Sequence, residues 1–112
     1  MASVERPIDL VHLARMTLGE RSLEREVLQL FDRQAMILMS RMQAASADAV
    51  ASLAHTLKGS ARAIGAAHVA RAAEALELID VSASADLTRA LAELRAATEQ
   101  ARDFIADLLR AH

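Results

Sequence analysis

Cysteine is absent from the 112-residue chain, so neither disulfides nor thiolate metal sites are available. Trp and Tyr are absent too, and Phe31 and Phe104 are the only aromatic residues. One proline and three glycines provide very sparse turn punctuation. A β-sandwich draws on aromatic and β-branched residues with frequent Gly/Pro turns, so the composition argues against that class. No sign of charge dominates: 13 basic and 15 acidic groups give −2. Nucleic-acid binding needs a basic surface, and base stacking needs aromatics; the chain offers little of either. No apolar run approaches the ~20 residues of a membrane span. The start, MASVERPIDL, carries Glu5 and lacks the apolar core of a signal peptide. These absences predict a cytoplasmic protein that meets neither nucleic acid nor membrane. The length holds one domain, 1–112, and leaves no room for the nucleotide-binding fold of a complete kinase.

What is present favours helix. Hydrophobic residues make up 54% of the chain and charged residues 25%, so it should fold. Ala and Leu dominate, and both are strong helix formers. Pro7 and Asp9 mark a helix start with Asp9 as N-cap, and Gly19 is a natural stop after Leu10, Leu13 and Thr17. A long helix is predicted from about Ser22 to Ala45. Leu28, Phe31, Ala35, Leu38 and Met42 form its buried stripe, widened by Leu23, Val27, Leu30 and Ile37. Ser46 caps a third helix that runs to Ile64, with Val50, Leu53, Leu57, Ala61 and Ile64 on one side. Gly65 interrupts it. A fourth helix runs to about Ile79, with Val69, Ala72, Ala73, Leu76 and Ile79 inward. A Ser-rich turn spans Asp80 to Ala85. The last helix, about Asp86 to Arg110, is seamed by Leu87, Leu91, Leu94, Thr98, Ala101, Ile105 and Leu108. The expected fold is all-α: an antiparallel four-helix bundle with a short extra N-terminal helix.

The chemistry-bearing residues gather on the third helix. At about 100° per residue, with Leu57 at zero, His55 falls near 160°, almost directly away from the core. Lys58 falls near 100°, Arg62 near 140° and Gly59 near 200°. Lys58 is the only lysine among the 13 basic residues. A mid-helix glycine costs ~1 kcal/mol relative to alanine. Its use at 59, in a chain rich in alanine, suggests that something large approaches the backbone beside His55. His12, His68 and His112 show no i,i+4 pairing with one another or with His55, so no helical zinc site is expected. His68 reads as a surface residue.

The block Ala54-His55-Thr56-Leu57-Lys58-Gly59-Ser60-Ala61, followed by Gly65-Ala66, resembles the signature of histidine-containing phosphotransfer (HPt) domains. The short first helix and Glu74 and Glu77 after the motif are also similar to that family. The resemblance implies that Nε2 of His55 attacks the acyl phosphate of a receiver-domain aspartate. The receiver belongs to a response regulator or hybrid histidine kinase, and the group passes reversibly to another receiver. It implies no ATP site, no autokinase activity and no cofactor held by this chain, the Mg²⁺ belonging to the receiver. Lys58 and Arg62 place positive charge where phosphoryl oxygens would lie. Glu74 or Glu77 is a candidate to hold Nδ1 and fix the tautomer. The run Ala35-Met36-Ile37-Leu38-Met39 spans a full turn and cannot all face inward, so Met36 or Ile37 is expected in an exposed docking patch. A complete, monomeric protein is expected. The alternative is an interaction module that binds receivers or kinases without phosphotransfer.

Overall fold

The computed structural model describes residues 6–80 and 82–111. Met1, Glu5 and His112, which frame the sequence reading of the two termini, lie outside the described residues, as does Val81 of the Ser-rich turn. Five helices and no strand make up the described residues: α1 (Leu10–Met16), α2 (Arg21–Ala44), α3 (Ala47–Ile64), α4 (Ala67–Glu77) and α5 (Ser84–Arg110). Consecutive long helices pack on one another, and α5 returns to α2. The α3–α4 contact is the most extensive. Small side chains explain this. Ala54 and Ala61 of α3, and Ala70 and Ala73 of α4, are all buried, so the two backbones can approach closely.

The core follows the helical stripes. Leu28, Phe31, Ala35, Leu38, Met39 and Met42 are buried on α2, and Ala90, Leu94, Thr98, Ala101 and Ile105 on α5. The stripe on α2 is narrower than expected. Leu23, Leu30 and Ile37 are exposed and Val27 is half-buried. A long helix touching two neighbours covers only part of its circumference, and these residues lie beyond the covered arc.

Local chemistry sets the helix ends. The Asp9 carboxylate accepts from the N–H groups of Val11 and His12, which makes it the N-cap of α1. Ser46 occupies the N-cap position of α3, but its side chain makes no capping hydrogen bond. Gly65 ends α3 in the left-handed region (φ +82°), and Gly19 follows α1 at φ +73°. Helix α4 stops at Glu77, short of the expected Ile79, and α5 starts at Ser84, before the expected Asp86.

Sequence reasoning missed how α1 is anchored. Ile8 is fully buried and, with Leu13, has the spacing of a hydrophobic staple around the Asp9 cap. The Asp9 N–H donates to the Gly65 carbonyl (2.9 Å), and His12 Nε2 donates to the Ala63 carbonyl (2.9 Å). Both bonds satisfy carbonyls at the end of α3 that have no partner within the helix.

Candidate functional site

Leu57 has no exposure, and the helical turn carries His55 to the opposite side of α3, where 68% of its side chain is exposed. Its ring is nevertheless held. Nδ1 lies 2.9 Å from Oε2 of Glu77, the last residue of α4. A carboxylate accepts, so Nδ1 carries the proton and donates. The other ring nitrogen, Nε2, is left to act as a nucleophile.

Glu77 divides its two oxygens. Oε2 takes His55, while Oε1 lies 2.7 Å from Nζ of Lys58. Oε1 is shut off from solvent and accepts no well-formed hydrogen bond among the described residues, so it meets Lys58 as an ion pair. The close contact with the Lys58 ammonium, the largest cause, holds the Glu77 carboxyl below its ordinary value of 4.5, and the bond from His55 adds to it. Both act against partial burial, which pushes the other way.

The candidate residues separate on this framework. Glu77, not Glu74, meets His55. Glu74 lies one turn earlier on α4 and pairs with Arg62 Nη2 at 3.2 Å. Lys58 corrects the wheel reading, which put it on the open face with His55, Gly59 and Arg62. Only 14% of its side chain is exposed, because its position about 100° from Leu57 is the edge of α3 that faces α4. Gly59 is exposed, with ordinary helical φ, and a Cβ added there would meet nothing within 4 Å. His68 is half-buried rather than on the surface.

Met36 and Ile37 are both exposed but look in different directions. Met36 leans toward α5, with Sδ 3.8 Å from Arg102 Nη2, in a hollow lined also by Gln43 and Arg95. Leu30 and Gln34 line the groove between α2 and α3 with Ser60 and Ala63. Ile37, two turns on from Leu30, continues that side. Among the described residues no group of three or more His, Asp or Glu side chains is placed to hold a metal ion. No helix among them is long and apolar enough to cross a membrane.

The site is thus an exposed imidazole on a helical bundle, held at Nδ1 by Glu77 and with no partner at Nε2 among the described residues. The Hpt domain family model matches residues 22–104, and the chain belongs to that family. Hpt domains carry histidine phosphotransfer in the phosphorelays of two-component signalling, alongside receiver domains and kinases. The chain is therefore a phosphorelay component. None of the curated proteins compared matches it.

Proposed function

We propose that the chain is a phosphorelay intermediate. His55 accepts a phosphoryl group from a receiver-domain aspartate, of a response regulator or hybrid histidine kinase, and returns it to another receiver. One observation carries the reading: an exposed histidine whose Nδ1 donates to Glu77 and whose Nε2 meets no partner among the described residues. In transfer, Nε2 bonds to phosphorus as the P–O bond to the aspartate breaks. The aspartate departs as a carboxylate. The Nδ1 proton stays on the ring facing Glu77, which offsets the positive charge that the new N–P bond puts there. The reverse step follows the same path. Mg²⁺ for this chemistry is supplied by the receiver, and this chain contributes no cofactor, ATP site or autokinase activity.

The scaffold for this role is residues 1–112 as one domain: an antiparallel four-helix bundle, α2 to α5, with α1 added. The protein acts as a cytoplasmic monomer. Two-residue connections turn α2 into α3, so Ile37 and His55 lie at similar heights, seven and eight residues from the connected helix ends. The receiver docks over the open side of α3 and the α2 flank bearing Leu30 and Ile37. Gly59, one turn from His55, leaves room for its acidic pocket.

The test is incubation with a phosphorylated receiver, followed by assay for acid-labile label. Label on the wild type and none on a folded His55→Gln variant supports the proposal. Label that persists on His55→Gln places the site elsewhere. Binding without label on the wild type points to an interaction module instead.

A further inference from the structure

We infer that α2 carries a self-complementary face on which a second copy of this chain seats antiparallel, closing the flank assigned to the receiver. Leu23, Leu30 and Ile37 are all exposed. They recur every seven residues, and at about 100° per residue they fall within about 40° of one another. The stripe they form is about 21 Å long. A receiver over Leu30 and Ile37 leaves Leu23 outside, whereas a helix laid along α2 covers all three.

Charges along the edges of the stripe choose the occupant. Glu26 and Arg33 border it on the side away from α3. Arg41 borders it on the α3 side, in line with Val27 and Gln34, and Glu20 stands at the start of α2 on that side. All four charged residues are exposed and form no ion pair among the described residues. A second copy related by a two-fold axis across Leu30 runs antiparallel, and each edge meets the same edge of the copy. Leu30 then packs on the second copy's Leu30, and Leu23 on the second copy's Ile37. Glu26, four residues before the centre, meets the second copy's Arg33, three residues past it. Glu20, ten before, meets the second copy's Arg41, eleven past. Each offset is a single residue, a rise of about 1.5 Å. The axis repeats both ion pairs. A parallel copy would instead set each charge against its own kind. Three apolar side chains from each copy make a small interface with exposed ion pairs, so the pairing is weak and concentration-dependent. The monomer remains the acting form, and the pair is the form whose docking flank is closed.

Sedimentation and charge reversal test this. From micromolar to millimolar concentration the wild type should pass from monomer to dimer. Leu30→Glu should stay monomeric throughout; its side chain is exposed, so the fold holds. Glu26→Arg and Arg33→Glu should each raise the dimer Kd by on the order of tenfold, since the axis makes each substitution act twice. The two combined again set opposite charges across the axis and should return the wild-type Kd. A wild type that stays monomeric at millimolar concentration overturns the inference. So does a dimer that Leu30→Glu leaves intact, or one that the combined reversal does not restore.

A second arm ties pairing to transfer and rests on the phosphotransfer reading above. Added receiver should dissolve the dimer into one-to-one complexes. The initial rate of labelling per molecule should fall as the wild type is concentrated into the dimeric range, and stay level for Glu26→Arg. A receiver that binds the intact dimer would place the pair on another face and overturn the inference. If no receiver labels the wild type, the phosphotransfer reading fails, and the sedimentation series still decides the pairing.

Discussion

Alanine at Gly59 and alanine at Gly65 should move stability in opposite directions, although the two glycines are six residues apart on α3 and its C-cap. At Gly59 the backbone has ordinary helical φ, and an added Cβ meets nothing within 4 Å. Only the helix-propensity difference remains, up to ~1 kcal/mol in favour of alanine. At ~2.1 cal/mol/K of unfolding entropy per residue, that raises Tm by about 4 °C in a chain of this size. At Gly65 the backbone is left-handed, φ +82°. An L side chain there costs about 1–2 kcal/mol. The new Cβ would also stand 3.1 Å from Asp9 Cβ, 3.2 Å from its carbonyl oxygen and 3.3 Å from its nitrogen. Those atoms belong to the segment whose N–H donates to the Gly65 carbonyl, so relief must loosen the anchor of α1. Gly65→Ala should therefore lower Tm by at least about 4–8 °C. Thermal and urea denaturation of both variants decide the matter. A stable Gly65→Ala, or a Gly59→Ala that melts below the wild type, would refute the reasoning. Gly59→Gln adds the functional half: receiver transfer should fall sharply while Tm holds. If Gly59→Ala and Gly59→Gln both melt early yet transfer normally per folded molecule, the glycine is structural and not a matter of access.

The Glu77 carboxyl lies below its ordinary value of 4.5 in the folded protein, so it stabilises the fold above that pH, and the contribution is lost as pH falls through the lowered value. Glu77→Gln should flatten the acid limb of a stability-against-pH curve; an acid limb identical to the wild type's would count against the Lys58–Glu77–His55 arrangement. Leu30→Glu and Ile37→Glu should each weaken receiver binding by on the order of tenfold in calorimetric titration, the cost of placing a charge in an apolar contact. Met36→Glu, on the α5 side of α2, should do much less. A larger effect at Met36 would move the docking surface to the α2–α5 groove.

Much of the fold was legible in the chain because helices announce themselves locally. The spacing of Leu28, Phe31, Ala35, Leu38 and Met42 specifies a buried stripe whatever packs against it, and all five are buried. Asp9, Gly19 and Gly65 act on their own backbone, so their capping roles follow from residue type. His55 was legible for the same reason: an angle measured from Leu57 within one helix needs no knowledge of another. The errors at Leu23 and Leu30 arise because the width of a stripe depends on how many neighbours a helix has, which periodicity does not record.

The pairings between helices were not legible. His55 and Glu77 are 22 residues apart, and His12 and Ala63 are 51 apart. Nothing in their local sequence ties one to the other. The sequence by itself determined five helices, their inward faces and the outward histidine, because these depend on the regular turn of a single helix. Tertiary structure alone decided that Glu77 and not Glu74 meets the imidazole, and that Lys58 turns into the α3–α4 seam. Those outcomes depend on the relative height and rotation of two packed helices, where three residues, a rise of about 4.5 Å, are the difference between Glu74 and Glu77.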